Sequence, residues 1–378
     1  MLNIIVDENI VFAKEAFALF GNVTLLSGRE INNSILKDAD ILIVRSITKV
    51  DKELVKNTPV KFVGTATIGT DHIDLEYLKK NKIAFADAKG CNAYSVAEYL
   101  VVSLLNLSVR FNFTLKEKSI GIVGVGNVGS KVAKFADALG MKVLLNDPPL
   151  QRAGNNNSFV SLDEILNADI ITLHVPLNLS GIDRTYHLFD KKKLMGLKDG
   201  TILINTSRGA VIKNQELLEI IDTKKLKVVL DVWENEPDIN IDLLNKVIIG
   251  TPHIAGYSLE GKINGTKMIF DALADYLNLN ISFNFTKEAP TNSLLSFEKS
   301  ETIEKDLDQI VSKIYPIQRD DKLMRKMLNM SREERIKYFD LLRKDYPIRR
   351  EFNNYRIELK NFDGKTKNIL TNLRFNIS

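Results

Sequence analysis

The chain carries one cysteine in 378 residues, Cys91, so no internal disulfide can form and no Cys-x-x-Cys pair can hold zinc. An isolated thiol of this kind suits a reducing compartment. Histidine is scarce as well, at four positions, and no set of cysteine, histidine or carboxylate residues has zinc-site spacing, so no metal is expected. No serine lies in a Gly-x-Ser-x-Gly setting, which leaves acyl transfer without a visible nucleophile. No apolar run reaches the roughly 18 residues that a bilayer span requires. The opening Leu2-Asn-Ile-Ile-Val6 reads as a short strand without the features of a secretory leader, and a cytoplasmic location is the expectation. Charge of one sign is also missing. Lys+Arg 52 against Asp+Glu 48 leaves +4, located beyond Thr286, too little to argue for nucleic acid as a partner.

What is present is an alternation of strand-like and helix-like runs over the first ~280 residues, the pattern of α/β layers with parallel sheets. The length exceeds one ordinary core and predicts two or three domains. Early strands are predicted at Leu2 to Val6, Val23 to Leu25, Ile41 to Val44, Phe62 to Gly64 and Ile83 to Phe85. A long amphipathic run from Asn92 to Ser108 reads as a helix and leads into a second set of strands, near Ser119, Met141, Asp169, Thr201, Lys227 and Val247. Helical spacing from Leu259 to Leu279 can return the chain to the first unit. Asn280 to Pro290 reads as a linker to a tail with helices at Glu301 to Ile314 and Arg332 to Lys344 and a strand at Tyr355 to Leu359.

The strongest chemical signal is Ser119-Ile-Gly-Ile-Val-Gly-Val-Gly-Asn-Val-Gly129, a strand running through Gly124-x-Gly126-x-x-Gly129 into a helix. The first glycine permits the tight turn, the second lets backbone approach a pyrophosphate, and the third lets helix pack on strand. Free N–H groups and the helix dipole then favour the anion. Asp147 stands eighteen residues beyond Gly129, after a second strand, where a carboxylate accepts from both ribose hydroxyls and repels a 2′-phosphate, favouring NAD over NADP. The competing reading is a glycine turn in another kind of doubly wound domain.

Three polar residues fall at the ends of later strands, where such sheets place their ligands. Arg208, in Ile202-Leu-Ile-Asn-Thr-Ser-Arg-Gly209, offers a fork to a carboxylate and its neighbouring carbonyl. His253, in Thr251-Pro-His-Ile-Ala-Gly256, can exchange a proton with a hydroxyl, and Glu236 can hold its imidazole by one nitrogen. Against these stand the plainer readings of a surface arginine and a structural histidine. His174 is expected to shape the cofactor pocket, and His72 and His187 to be structural.

Four blocks, Gly124 to Gly129, Ile204 to Val211, Asp231 to Pro237 and Thr251 to Gly256, resemble the D-2-hydroxyacid dehydrogenase family. The resemblance implies an NAD-dependent oxidoreductase with Arg208, Glu236 and His253 as its catalytic residues. It implies cofactor contacts from Gly124, Gly126, Asn127, Val128, Gly129, Asp147, Val175, Thr206, Asp231 and Gly256, with Val175 standing where similar enzymes often have threonine. The implied fold is a Rossmann-like dinucleotide-binding domain (94–256) inserted in a flavodoxin-like catalytic domain (1–93 and 257–285), followed by a C-terminal α+β dimerisation domain (286–378) that makes a homodimer.

Narrower similarity within the family lies in Ile5 to Asn9, Val44 to Lys49, Val63 to His72, Gly90 to Ala93, Asn146 to Pro149, His253 to Lys262 and parts of the tail. It implies oxidation of 4-phospho-D-erythronate to (R)-3-hydroxy-2-oxo-4-phosphooxybutanoate on the route to pyridoxal 5′-phosphate. Ser46, Thr67 and Tyr257 would contact this substrate, and Arg45, with Arg349 or Arg350 of the tail, are candidates for its phosphate. A surface ion pair is the plainer reading of Arg45. The alternatives are a dehydrogenase for another D-2-hydroxy acid, such as 3-phosphoglycerate or D-lactate, and a non-catalytic NAD(H)-sensing protein on the same scaffold.

Overall fold

Short β-branched runs separated by turn residues become parallel strands, with helices between them in the chain. The computed structural model describes residues 1–286, 288, 290 and 293–378. It divides into two units, Met1–Asn92 with Ser258–Glu288, and Ala93–Tyr257 with Ala289–Ser378.

In the first unit β1 (Leu2–Asp7), β2 (Gly21–Leu26), β3 (Ile41–Val44), β4 (Phe62–Thr65) and β5 (Ala84–Asp87) form a parallel sheet in the order β2-β1-β3-β4-β5, the flavodoxin order. One face is covered by the returning helix Leu259–Tyr276, whose Ile269, Phe270 and Leu273 are buried with Ile4, Val6 and Ile43. Gly64 makes room for it, since a Cβ there would stand 2.6 Å from Ile269. The expected linker is less free than its composition suggested. Phe283 and Phe285 pack on Phe12 and Phe270 with ring centroids 5.9–6.3 Å apart, because aromatic side chains gain more from this core than from water. Lys287 and Ala289 of that segment lie outside the described residues.

The second unit opens with the helix Ala93–Phe111, buried along nearly its whole length. Its sequence reads as amphipathic, yet its polar residues are buried too, and Ser95, Glu98 and Ser103 are hydrogen-bonded within the protein. Then come β6 (Ser119–Val123), β7 (Lys142–Asn146), β8 (Ile170–Leu173), β9 (Ile202–Asn205), β10 (Lys227–Leu230) and β11 (Ile249–Gly250), parallel and in the order β11-β10-β9-β8-β6-β7. The order reverses between β6 and β8, which opens a crevice at the carboxyl end of β6, where the glycine run lies.

The tail has its own sheet of β12 (Leu294–Glu298), β13 (Arg356–Lys360) and β14 (Asn376–Ile377), with β13 in the middle. All three strands are parallel and helices separate them in the chain, a finer description than the α+β one expected. Its helix Ile303–Ile314 lies against Ala93–Phe111, and Leu307, Ile310, Phe352, Leu370 and Phe375 share one buried cluster with Val96, Leu100 and Leu104. Charge is buried there too. Phe352 N–H donates to Glu98 at 3.0 Å, Ser95 donates to Glu351 at 2.9 Å, and Arg374 lies 3.0 Å from Glu351 and 3.6 Å from Glu98. Burial, then the neighbouring Glu351 charge, push the Glu98 carboxyl well above its usual range.

Truncating Ile310 to alanine at this seam removes fully buried methyl groups and is expected to cost about 2–5 kcal/mol, read as a lower urea midpoint of the whole second unit rather than of the tail alone.

Candidate active site

The glycine run adopts the geometry its sequence demands. Gly124 turns with φ +87°, and a Cβ there would stand 2.6 Å from the carbonyl oxygen of His174. At Gly129 a Cβ would stand 1.9 Å from the carbonyl oxygen of Gly124, so the helix Asn127–Ala138 can lie on β6 only with glycine in place. A Cβ at Gly126 would meet nothing within 4 Å. That open space, at the start of a helix whose Asn127 and Val128 supply free N–H groups, fits the approach of a pyrophosphate.

Asp147 caps the helix Pro148–Arg152 through Leu150 N–H (3.0 Å), and its other oxygen accepts from Val125 N–H (2.7 Å). Each oxygen keeps a second lone pair for a hydroxyl. Val175 and Thr206 follow β8 and β9, and the hydroxyls of Thr172 and Thr206 approach the His174 ring at 2.9 and 3.4 Å. Enclosure of that ring by protein pushes its pKa down from 6.5 to about 3 and keeps it neutral.

Arg208, Glu236 and His253 follow β9, β10 and β11, three neighbours in the sheet, so parallel topology delivers them to one edge. Glu236 accepts from Trp233 N–H (2.8 Å) and meets His253 Nδ1 at 2.7 Å. Burial alone would raise the Glu236 carboxyl. The His253 charge and hydrogen bond, Trp233 N–H and the Arg343 charge overcome it and hold the group below its ordinary range. An ionised carboxylate only accepts, so Nδ1 carries the hydrogen and Nε2 is left to exchange a proton.

His253 itself has φ +58°, a left-handed conformation unfavourable for a side chain of its size. The strain is held by Asp231, fully buried, whose carboxylate accepts from Thr251 Oγ1 (2.6 Å), Ile254 N–H (2.8 Å) and Ala255 N–H (2.9 Å), while its carbonyl accepts from His253 N–H (2.7 Å). Burial raises the Asp231 carboxyl, and these donors with the His253 charge oppose that. Asp231 therefore anchors the loop that carries His253 and ends at Gly256 and Tyr257.

The Arg208 turn is locked to the Glu236 turn. A Cβ at Gly209 would stand 1.9 Å from the Trp233 backbone. His187 Nε2 meets Glu234 at 2.6 Å, Glu234 accepts from Asn214 N–H at 2.7 Å, and Ala210 accepts from His187 N–H at 2.7 Å. This second imidazole–carboxylate pair was not legible beforehand, because its partners are 47 residues apart. Arg349 and Arg350, candidates for a phosphate, are both buried: Arg349 donates to the Ala255 and Ser95 carbonyls and lies 4.4 Å from the Tyr315 ring centroid, and Arg350 donates to Asn354. They brace the fold, and Arg343 of the same tail is the one that bonds to Tyr257.

In the first unit, Arg45 Nε donates to buried Asp7 at 3.1 Å, Ser46 is exposed beside it, and Thr67 meets Thr65 at 2.8 Å. Lys262, missed in the sequence, lies near enough to Arg45 that crowding and that charge push its pKa down. Two cations with an exposed hydroxyl suit an oxyanion.

His174 gives a pH signature. The unfolded chain takes up a proton near 6.5 and the fold refuses it down to about 3, so stability falls with pH below 6.5 by about 1.4 kcal/mol per unit. His174→Gln should lose about 1.4 kcal/mol less than the parent between pH 7.5 and 5.5 in urea unfolding.

Comparison with known proteins identifies the family. Residues 106–255 match a family model described as the NAD binding domain of D-isomer specific 2-hydroxyacid dehydrogenases, and residues 288–373 match one described as a domain of unknown function. The chain is 44% identical to the erythronate-4-phosphate dehydrogenase of Proteus mirabilis, with 99% of both chains covered. It is 47% identical to that of Psychromonas ingrahamii, over 94% of this chain and 93% of the other. Among solved structures it is similar to the D-lactate dehydrogenase of Aquifex aeolicus complexed with NAD and lactic acid, with TM-score 0.59, 26% identity and coverage of 73% of this chain and 95% of that one. A Staphylococcus aureus NAD-dependent formate dehydrogenase in complex with NAD is comparable, with TM-score 0.61, 26% identity and coverage of 74% and 96%. With a glycine-cradled helix start, an oriented His–Glu pair and full-length relatives at this identity, the chain belongs to the erythronate-4-phosphate dehydrogenases of the D-isomer specific 2-hydroxyacid dehydrogenase family.

Proposed function

We propose that the chain oxidises the C2 hydroxyl of 4-phospho-D-erythronate to (R)-3-hydroxy-2-oxo-4-phosphooxybutanoate, an NAD-dependent step toward pyridoxal 5′-phosphate. The observation that carries this reading is the 2.7 Å contact between His253 Nδ1 and Glu236 beside the Arg208 turn, together with the name shared by the full-length relatives. NAD, when bound, accepts the hydride that leaves C2. Gly124, Gly126 and Gly129 with the helix start at Asn127 and Val128 would hold its pyrophosphate, and Asp147 its ribose. Val175, Thr206 and Gly256 line the ends of the strands that follow.

The chain's own residues do the rest. His253 Nε2 takes the C2 hydroxyl proton, and Glu236 stabilises the imidazolium that results. Arg208 holds the C1 carboxylate and polarises the developing carbonyl, which fixes the reacting carbon. Asp231 acts through the loop rather than on substrate, by keeping His253 in its left-handed conformation. Arg45, Ser46, Thr67 and Tyr257 are proposed as substrate contacts. The arrangement of 1–93 with 257–285 as catalytic domain, 94–256 as NAD domain and 286–378 as the contact of a cytoplasmic homodimer belongs to the same proposal. Light scattering of the purified chain at twice the monomer mass would support that assembly.

Incubation with 4-phospho-D-erythronate and NAD should yield the 2-oxo acid by mass spectrometry. Comparable efficiency on D-lactate, or on another acid without the terminal phosphate, would reject the substrate. His253→Ala should lower kcat by roughly 10²–10⁴-fold with NADH binding retained, and unchanged turnover would point to a sensor instead. Gly126→Ala should keep the parent urea midpoint but weaken NADH binding about tenfold or more, because the added methyl occupies only the cradle.

A further inference from the structure

Arg343 lies in the last turn of the tail helix Arg332–Lys344 and takes no part in the steps above. Its guanidinium bonds to the Tyr257 hydroxyl and stands near enough to Glu236 for each to feel the other's charge. Its Nε–H is buried without an acceptor. Burying such a donor unmet is costly, and a guanidinium fork is shaped for an oxyanion. Arg349 also has a buried nitrogen without an acceptor, Nη1, but its guanidinium is sealed on the Tyr315 ring with its Nη2 on the Ser95 and Ala255 carbonyls, away from the Tyr257 hydroxyl that Arg343 meets. The carboxylates that face Arg343 are Glu236, engaged with His253, and Asp340.

We propose that Arg343 is a specificity-determining residue: with Tyr257 it receives the terminal phosphate of the substrate, the end opposite the carboxylate held by Arg208. The inference rests on the reading that the substrate is a phosphorylated 2-hydroxy acid. It gives the tail a chemical task at the site. It also accounts for a buried donor that the fold leaves unmet.

The test uses the full-length chain, Arg343→Gln and Arg343→Lys, each first titrated with NADH. Arg343→Gln should lower kcat/KM on 4-phospho-D-erythronate by roughly 10- to 100-fold, mostly through KM, and Arg343→Lys, which keeps charge but not the fork, by less. Inorganic phosphate should raise the melting temperature of the NADH-loaded parent and not that of Arg343→Gln. An unchanged KM and an unchanged phosphate effect in Arg343→Gln would overturn the proposal and give the phosphate to Arg45 and Lys262; so would a fall in kcat alone, which marks Arg343 as a partner of Glu236 only. If Arg343→Gln does not bind NADH, Arg343→Lys decides by the same two measurements. A parent that binds phosphate through Arg343 yet fails to turn over 4-phospho-D-erythronate would sink the substrate reading and leave the anion site standing.

Discussion

The buried carboxylate of Asp231 is the interaction on which the rest of the site depends. Three donors from the Thr251–Ala255 stretch converge on it, and its carbonyl takes the fourth, from His253 itself. A loop so held can carry a histidine at φ +58°, a conformation that costs free energy and persists only where the surroundings over-determine it. Tyr99 extends the network inward by meeting Thr251 at 2.8 Å, so the long buried helix and the His253 loop share one set of hydrogen bonds. Removal of a single donor leaves a charge in a dry interior, which explains why the loop is braced from so many directions.

Bracing also comes from the tail. Arg349 donates to the Ala255 carbonyl, and Tyr346 sets its ring edge-on to Tyr257 with centroids 5.8 Å apart. The tail is thus a wall of the site as well as an appended module. Buried Glu98 of the long helix and buried Glu351 of the tail share half-buried Arg374, which makes the seam polar at one point in an otherwise apolar interface. Such a seam has few alternative registers, which suits a contact whose position sets the geometry of the loop.

Much of this was legible in the sequence. Strand ends and glycine spacing located Gly124, Gly129, Asp147, Arg208, Glu236 and His253, because a parallel sheet sends its carboxyl-end loops to one edge whatever the side-chain detail. What stayed hidden depends on three-dimensional pairing. Nothing local distinguishes Arg343 from Arg349, two residues of one basic tail, yet one meets the Tyr257 hydroxyl and the other seals a core. Phe283 and Phe285 sat in a stretch read as linker, and only the presence of Phe12 and Phe270 gives their rings a place to go. β14 is two residues long, too short for any period to show, and it exists because β13 offers an edge.

The shared cluster of Val96, Leu100, Phe352, Leu370 and Phe375 has a consequence for biosynthesis. The helix Ala93–Phe111 is synthesised well before Leu370, Leu373 and Phe375, which share its buried cluster. Part of that helix therefore stays uncovered until the tail has been made, and apolar surface exposed during that interval is where misassembly of this unit would begin.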